Sequence, residues 1–248
     1  MELKNKRIVI TGATSGIGKQ LMIQLSKYEG VRIIAVGRKM RNIPIAMNII
    51  PFKADISIKE EVDALFNFAQ QKLGGIDIFI ANAGYVNTNE PTGWNDIDNI
   101  FKTNTISPIY SVQKMIESHL EQQEYLVAIT ISCLAKLSLP FKPLYVATKS
   151  ALHGFIKSLR YTLPSNGHVS AIYPTGVIHT SFFEDMTTTT NHKNIVPGKK
   201  ISSQKMARII IKGIEKNKKE IYSSFCAKIK IILYQMFPFI QKRHAKQL

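Results

Sequence analysis

Short apolar runs alternate with longer amphipathic stretches through the first two-thirds of the chain. The apolar runs are rich in Ile and Val, and several lack polar alternation, which is typical of strands buried on both faces of a sheet. The predicted strands are Arg7–Ile10, Val31–Val36, Ile49–Ala54, Ile76–Ala81, Tyr125–Ser132 and His168–Tyr173. The predicted helices are Ile17–Tyr28, Ile58–Leu73, Trp94–Leu120 and Leu144–Tyr161. This alternation predicts a single-domain α/β fold around a doubly wound parallel sheet, which presents its ligand-binding residues at the carboxyl ends of the strands.

The pattern changes in the last third of the chain. Thr180–Lys200, with four consecutive threonines and a Pro-Gly pair, predicts a mobile loop over the substrate. Ser202-Ser203 predicts the cap of a further helix, and Glu220–Tyr222 predicts a last strand. We therefore expect one domain over residues 1–222, which includes the substrate loop at 180–200, and a basic, apolar C-terminal extension over 223–248.

The formal charge of the chain is strongly positive and unevenly spread. From His192 onward there are 14 Lys and Arg against two acids, which accounts for +12 of the total of +16. The two cysteines, Cys133 and Cys226, do not make a disulfide framework and fit a reducing compartment. The N-terminus lacks the layout of a signal peptide, and no apolar run reaches the roughly 18 residues that span a bilayer. We therefore expect a cytoplasmic protein.

A glycine-rich segment separates the first predicted strand from the first predicted helix. It reads Thr11-Gly12-Ala13-Thr14-Ser15-Gly16-Ile17-Gly18. In this position glycines permit a tight turn, close approach of a ligand phosphate and close packing of helix on strand. The helix N-terminus adds free N–H groups and partial positive charge. The segment therefore predicts a dinucleotide phosphate site. Its candidate contacts are Gly12, Thr14, Ser15, Gly16, Ile17 and Gly18.

Tyr145 and Lys149 form the candidate proton-transfer pair. They are four residues apart and therefore share one face of a predicted helix. A neighbouring ammonium group favours the phenolate and lowers the pKa of a tyrosine from about 10 toward working pH. The same spacing occurs at Tyr110 and Lys114, so the pair by itself is ambiguous.

Three motifs together resemble the short-chain dehydrogenase/reductase superfamily. They are the T-G-x-x-x-G-x-G segment that begins at Thr11, the triplet Asn82-Ala83-Gly84, and the pair Tyr145 and Lys149. The resemblance extends from Arg7 to about Tyr222. It implies a Rossmann fold and an NAD(P)-dependent oxidoreductase that acts on a CH–OH group.

The resemblance also separates the two Tyr-Lys pairs. In the family a catalytic serine stands 13 residues before the tyrosine, and Ser132 has that position relative to Tyr145. The residue at the same distance before Tyr110 is Ile97, whose aliphatic side chain cannot donate or accept a hydrogen bond. We therefore interpret Tyr110 as a packing residue.

The resemblance implies a role for each member of a catalytic group. Ser132 hydrogen-bonds the substrate oxygen, and Tyr145 is the general acid in reduction and the base in oxidation. Lys149 lowers the pKa of the tyrosine and contacts the nicotinamide ribose. Asn104 supports a water-linked proton relay.

Further positions match cofactor contacts of the family. Asp55 matches the residue at the adenine amino group, and Asn82, Ala83 and Gly84 match the motif that closes the cofactor pocket. After Tyr173 the sequence resembles the family's P-G-x-V-x-T segment, with one extra residue between Pro and Gly. This match makes Thr180, with the backbone of Ile178, the candidate contact to the nicotinamide amide.

The end of the second predicted strand bears on the choice of cofactor. It reads Ala35-Val36-Gly37-Arg38-Lys39 and has no carboxylate. An NAD site usually places Asp or Glu here on the ribose 2′-OH, whereas the forked guanidinium of Arg38 suits a 2′-phosphate. A basic residue here resembles the NADP-preferring members of the family. The sequence therefore favours NADP(H) over NAD(H).

The C-terminal extension lies beyond the resemblance. Its apolar residues between Ile229 and Ile240 have basic neighbours. These are Lys228, Lys230, Lys242, Arg243 and Lys246. Such a segment can lie peripherally on an anionic membrane surface, cover the substrate cleft, form a subunit interface or dock on its own protein. Nucleic-acid binding is not expected, because the sequence has no helix-turn-helix, zinc ligands or aromatic stacking platform.

These features predict an NADPH-dependent oxidoreductase that reduces a ketone or aldehyde and reversibly oxidises the alcohol. The apolar residues of the substrate loop and the extension favour a hydrophobic, lipid-like substrate. The alternative is a catalytically idle protein that binds a nucleotide or a membrane surface, and the intact Ser132, Tyr145 and Lys149 argue against it. The resemblance implies a homodimer or homotetramer that pairs through the helices predicted at Trp94–Leu120 and Leu144–Tyr161. No metal site is predicted.

Overall fold

Seven parallel strands form the central sheet in a computed structural model, which describes residues 1–44, 46–86, 93–119, 123–137, 142–178, 201–237 and 239. They are β1 (Arg7–Thr11), β2 (Arg32–Gly37), β3 (Ile49–Lys53), β4 (Ile78–Ala81), β5 (Tyr125–Thr130), β6 (Gly167–Tyr173) and β9 (Glu220–Tyr222). A separate parallel pair consists of β7 (Val177–Ile178) and β8 (Ile201–Ser202). The sheet order is β3-β2-β1-β4-β5-β6-β9, so the order reverses between β1 and β4. In α/β sheets a crevice for ligands opens at the carboxyl ends of the strands at such a switch point.

Helices cover both faces of the sheet. They are α1 (Gly16–Leu25), α2 (Lys59–Leu73), α3 (Trp94–Phe101), α4 (Ser107–Glu117), α5 (Pro143–Leu159), α6 (Ser203–Glu215) and α7 (Phe225–Met236). Side chains alternate between the faces along each strand: Ile8 and Ile10 pack in the cluster that contains α1 and α6, and Val9 packs in the cluster that contains α2, α4 and α5. Because both faces are buried, the strands lack polar alternation.

The predicted doubly wound parallel fold is confirmed, but the single helix predicted over Trp94–Leu120 is wrong in detail. The structure has α3, a π-helical turn at Lys102–Ile106 and α4, which ends at Glu117. Asn104 lies in the π turn and hydrogen-bonds to the backbone of Tyr85, outside the helix. Leu120 itself lies outside the described residues.

The strand predicted over Tyr125–Ser132 is also too long. β5 ends at Thr130, and a 3₁₀ turn over Cys133–Lys136 follows. The hydroxyl of Ser132 accepts a hydrogen bond from the backbone N–H of Leu134 (3.2 Å), which favours the turn over continued extension. The same kind of cap was predicted at Ser202, whose hydroxyl accepts from the N–H of Lys205 at the start of α6.

Asp77, which precedes β4, joins three segments at the amino-terminal edge of the sheet. Its carboxylate accepts hydrogen bonds from the backbone N–H (2.7 Å), Nε (3.0 Å) and Nη2 (2.7 Å) of Arg7, and from Nε2 of Gln123 (2.9 Å). Burial alone would raise the pKa of Asp77, but the hydrogen bonds and charge of Arg7 hold it below its usual value. The carboxylate therefore links the starts of β1 and β4 to the segment before β5.

We expect Asp77→Asn to lower the free energy of unfolding at pH 7 by about 2–3 kcal/mol, because Arg7 keeps a largely buried charge without its partner. The folded-state pKa of Asp77 is lowered, so this contribution is present above the unfolded value of 3.8 and is lost as the pH falls through the folded-state pKa. Urea unfolding measures both effects. Glu29→Gln is the control: its ion pair with Lys4 is exposed, and its loss should cost under about 0.5 kcal/mol. Equal costs for the two variants would contradict the prediction.

Candidate active site

A cavity of about 360 Å³ opens at the carboxyl edge of the sheet. The segments that follow the strands β1 to β6 meet α5 there. Most of the residues predicted from the sequence line it. They are Gly12, Thr14, Ser15, Gly16, Ile17, Arg38, Asp55, Asn82, Ala83, Gly84, Ser132, Tyr145 and Lys149. Residues that are up to 137 positions apart in the chain, from Gly12 to Lys149, are thus brought to one cleft by the switch in strand order.

The ends of three strands are tied together at this edge by side-chain hydrogen bonds. The hydroxyl of Thr11 accepts from the backbone N–H groups of Asn82 (3.0 Å) and Ala83 (3.1 Å) and donates to the carbonyl of Ile80 (3.4 Å). Asn82 donates its amide to the carbonyl of Thr11 (3.2 Å) and accepts from the hydroxyl of Thr130 (3.2 Å). The triplet Asn82-Ala83-Gly84 is therefore anchored to both β1 and β5.

The glycine-rich segment is shaped by close backbone contacts. Gly12 has a φ of 67°, and a Cβ at this position would lie 2.9 Å from the Cα of Ala83. A Cβ on Gly18 would overlap the carbonyl of Gly12, so α1 can approach the turn only without a side chain there. Ser15, the cap residue of α1, is extended, and its side chain makes no capping hydrogen bond.

This arrangement fits the phosphates of a dinucleotide. The first N–H groups of α1 have no side-chain acceptor from Ser15, and the cap and the first residues of α1 line the cavity. Orphan N–H groups and the positive end of a helix favour an anion at this position. The pyrophosphate would be held here by Gly12, Thr14, Ser15, Gly16 and Ile17. Gly18 does not line the cavity, but its lack of a side chain allows α1 to pack close to the turn.

Arg38, which follows β2, and Asp55, which follows β3, lie together in the lining of the cavity. An Nη1 atom of Arg38 is 3.8 Å from a carboxylate oxygen of Asp55, and the Arg38 side chain is 74% exposed. The other carboxylate oxygen of Asp55 accepts from the N–H (3.0 Å) and the hydroxyl (2.7 Å) of Ser57. Burial alone would raise the pKa of Asp55, but these hydrogen bonds and the charge of Arg38 hold it below its usual value. Asp55 is therefore a fixed anion, and the long contact leaves Arg38 free to turn toward a ligand.

Ser132, Tyr145 and Lys149 meet at the end of β5. Tyr145 is buried, and its hydroxyl shares a hydrogen bond with that of Ser132. The ammonium of Lys149, one helical turn further along α5, donates to the carbonyl of Thr130 (3.1 Å) and lies 5.9 Å from the ring centroid of Tyr145. The end of β5 therefore supplies both the serine and the acceptor that fixes the lysine.

Burial shifts the two titratable groups of this triad in opposite directions. Burial raises the pKa of Tyr145, with the hydrogen bond from Ser132 acting against it. Burial lowers the pKa of Lys149 to about 8. The net direction for Tyr145 is opposite to the lowering expected from Lys149, because burial, which disfavours the phenolate, is the largest influence on this pKa. Tyr145 is therefore protonated at neutral pH, the form that can donate a proton.

Asn104 lies behind the triad, and its side chain is occupied. Its Oδ1 accepts from the N–H of Tyr85 (3.0 Å), and its Nδ2 donates to the carbonyl of Tyr85 (2.8 Å) and the hydroxyl of Thr148 (3.3 Å). A Cβ on Gly84 would lie 3.0 Å from that Oδ1 and 3.2 Å from Nζ of Lys149. The side chain thus fixes the segment after β4 to α5, and a proton relay at Asn104 would have to use its backbone carbonyl.

The second Tyr-Lys pair has a different environment. The hydroxyl of Tyr110 donates to Asp63 (2.6 Å), and Lys114 lies 2.9 Å from the same carboxylate oxygen. Lys59 contacts the other oxygen of that carboxylate at 2.6 Å. Tyr110 and Lys114 therefore belong to a charged cluster between α2 and α4, and neither residue lines the cavity.

Two of the predicted cofactor contacts, Ile178 and Thr180, lie at the end of a described range and beyond it. The backbone of Ile178 lies in β7 and pairs with Ser202 of β8. Thr180 and the substrate loop at 180–200 lie outside the described residues. Their proposed contacts stay predictions.

Sequence reasoning missed several polar residues that organise the site. Thr11 and Thr130 make the hydrogen bonds that join β1, β4 and β5, and each stands where an apolar run ends, which is a usable signal. Thr148, which is fully buried, bonds to Asn104 and to the carbonyl of Tyr145 (2.7 Å). Its position inside the helix next to Lys149 gives no such signal, because only the fold brings Asn104 near.

Comparison with known proteins identifies the family. The sequence profile described as short chain dehydrogenase matches residues 6–191. The chain belongs to the short-chain dehydrogenase family. It is therefore an oxidoreductase of the dehydrogenase/reductase type. A relative named as an uncharacterised oxidoreductase of Staphylococcus aureus strain MW2 is 31% identical over 191 residues, which cover 72% of this chain and 80% of that protein.

Solved structures of other short-chain dehydrogenases have the same fold. One from Burkholderia cenocepacia, in complex with NADP, superposes on this dehydrogenase with a TM-score of 0.81 at 20% identity and covers 100% of this chain and 99% of its own. One from Burkholderia phymatum, in complex with NAD, has a TM-score of 0.82 at 18% identity, over 97% and 96% of the two chains. At these identities the likeness establishes the fold alone.

We expect Lys149→Met to remove a pH-dependent contribution to the stability of the cofactor-free protein. The folded-state pKa of about 8 lies below the unfolded value of 10.5, so between these values the unfolded chain binds more protons and this contribution rises with pH. Between pH 7 and pH 9.5, the free energy of unfolding of the wild type should rise by about 2 kcal/mol relative to that of the variant. Urea unfolding at several pH values measures this difference.

Lys114→Met is the matched control for this experiment. Hydrogen bonds from the Lys114 ammonium to Asp63 and Tyr110 raise the pKa of Lys114, so this ammonium stays protonated in both states over the same pH range. The difference in unfolding free energy between Lys114→Met and the wild type should therefore not change with pH. If the difference for Lys149→Met were also independent of pH, the Lys149 ammonium would not be desolvated.

Proposed function

We propose that this dehydrogenase uses NADPH to reduce a ketone or aldehyde to the alcohol. The observation that carries the proposal is the hydrogen-bonded pair of Ser132 and Tyr145, which lies with Lys149 in the same cavity as the glycine cradle. The family supplies the reaction class, and a nicotinamide dinucleotide is the cofactor that the cradle and the reaction class require.

The residues of the triad supply the proton and stabilise the developing charge. A bound nicotinamide would supply the hydride to the carbonyl carbon. The hydroxyls of Ser132 and Tyr145 would both hydrogen-bond the carbonyl oxygen, and the proton of Tyr145 would pass to that oxygen as negative charge develops on it. The phenolate left behind would be stabilised by the positive charge of the Lys149 ammonium. Hydride and proton together complete the alcohol.

The preference for NADPH rests on Arg38. Its guanidinium is largely exposed, sits at the end of β2 beside the cavity, and makes only a long contact with Asp55. A 2′-phosphate would offer it short, charge-assisted hydrogen bonds. Lys39 and Arg41 add positive charge to the same segment.

A hydrophobic substrate is proposed from the apolar part of the cavity wall. The lining includes Tyr85, Val86, Ile131, Pro174 and Val177. A homodimer or homotetramer that pairs through α4 and α5 is proposed from the family resemblance.

We expect Tyr145→Phe to lower kcat/KM for carbonyl reduction at least about 100-fold, because the variant cannot donate the proton. NADPH oxidation over a panel of short-chain, long-chain and polycyclic carbonyls measures this effect and ranks the substrates. Tyr110→Phe is the matched control, and it should leave turnover unchanged, because its hydroxyl binds Asp63 away from the cavity. Tight NADPH binding by the wild type without turnover of any carbonyl would favour the idle nucleotide binder.

We expect Arg38→Gln to lower kcat/KM for NADPH roughly tenfold or more while kcat/KM for NADH stays the same, since only NADPH carries the 2′-phosphate. Arg41→Gln, three residues further on, is the control for loss of positive charge alone. Initial rates with each cofactor at fixed ionic strength measure the ratio. A wild type that prefers NADH, or an equal loss for both cofactors, would overturn the assignment.

A further inference from the structure

The last described helix, α7, is attached to the rest of the protein along one narrow face. Ala227 and Ile231 are buried at 1% and 0% exposure, and Tyr234 packs against the core. The hydroxyl of Ser224 caps the helix by accepting from the N–H of Ala227 (3.1 Å). These inward residues are spaced four and three apart and form one side of the helix.

The outward side of α7 is an apolar stripe. Its members stand at helical spacing along the side opposite Ala227 and Ile231. They are Phe225, Ile229, Ile232, Leu233 and Met236. The ends of the stripe are the most open, with Phe225 at 77% and Met236 at 65% exposure. The outward side of α7 is thus more apolar than the inward side and is exposed to solvent. An exposed apolar face of this kind indicates a binding surface.

The charges around the stripe are of one sign. At 100° per residue, Lys228 and Lys230 lie on its two flanks. From Ile221 to Leu248 the sequence has five Lys and Arg and no Asp or Glu. The carboxylate just before this segment, Glu220, already accepts a hydrogen bond from Lys136 (2.8 Å). Within the part of the chain that the structure describes, neither Lys228 nor Lys230 forms a salt bridge, so the stripe is flanked by uncompensated positive charge.

We propose that this face of α7 binds an anionic lipid surface, with the helix parallel to the membrane plane. The stripe would enter the boundary between headgroups and acyl chains, and the flanking ammonium groups of Lys228 and Lys230 would meet the lipid phosphates. Within the described ranges, no helix is long and apolar enough to cross a membrane, so α7 would lie on the bilayer. This binding needs no turnover and is independent of the reaction proposed above.

A second copy of the chain is a poorer occupant of the same face. A two-fold interface brings the same patch of both subunits together. Lys228 and Lys230 would then face a surface with their own charge, and the segment offers no carboxylate to pair with them. An anionic lipid surface provides apolar depth and the missing negative charge at once.

The test is co-sedimentation of the full chain with sucrose-loaded vesicles of phosphatidylcholine alone or with phosphatidylglycerol. The wild type should bind the mixed vesicles and not the neutral ones, and binding should weaken as salt is raised. Ile229→Gln with Ile232→Gln keeps the charge and should weaken partitioning roughly tenfold or more. Lys228→Gln with Lys230→Gln should give a comparable loss on the mixed vesicles.

Met47→Gln with Ile58→Gln is the control, because both side chains are exposed apolar residues elsewhere on the surface and should not affect binding. Light scattering and thermal melts of every variant check oligomeric state and folding. Unchanged binding by the Ile229/Ile232 variant would reduce the effect to net charge and overturn the proposal. The proposal would also be overturned if the wild type bound neither kind of vesicle and its oligomer dissociated in the Ile229/Ile232 variant. That result would favour an interface between copies of the chain.

Discussion

The hydrogen bonds of Thr11, Asn82 and Thr130 hold the carboxyl ends of β1, β4 and β5 together where the sheet order reverses. The parallel ladder stops at this edge, so the N–H groups of Asn82 and Ala83 need other partners, and Thr11 supplies one acceptor for both. Because that junction is fixed, Gly12 can turn against Ala83 and the carbonyl of Thr130 can receive Lys149. The candidate phosphate cradle and the candidate proton-transfer group are therefore held by the same hydrogen-bonded junction.

The burial of the triad determines its protonation. Away from water, Tyr145 holds its proton more tightly and Lys149 holds its proton less tightly than either would in solution. A buried phenolate would be costly without partners, and the hydrogen bond from Ser132 is the partner already in place. A site of this kind is suited to donate a proton at the moment when negative charge develops, because its dipoles are oriented before the reaction begins.

Much of the fold could be predicted from local patterns, and the exceptions have local causes. Continuous Ile and Val runs revealed the buried strands because both faces of the sheet are covered. The periodicity of Trp94–Leu120 could not reveal the π turn, since the turn is stabilised by the contact of Asn104 with Tyr85, a segment 19 residues away. The end of β5 was missed because Ser132 reads as part of an extended run until its hydroxyl is seen to cap a turn.

The sequence by itself determined the chemistry that is available: a glycine turn before a helix, a Tyr-Lys spacing, and a basic residue after the second strand. These depend on neighbours within one turn or strand, and local spacing specifies them. Only the tertiary structure showed that Asp63 holds Tyr110 and that Arg38 approaches Asp55. It also decided which side of α7 is left in water, since helical periodicity defines a face and long-range packing alone decides what covers it.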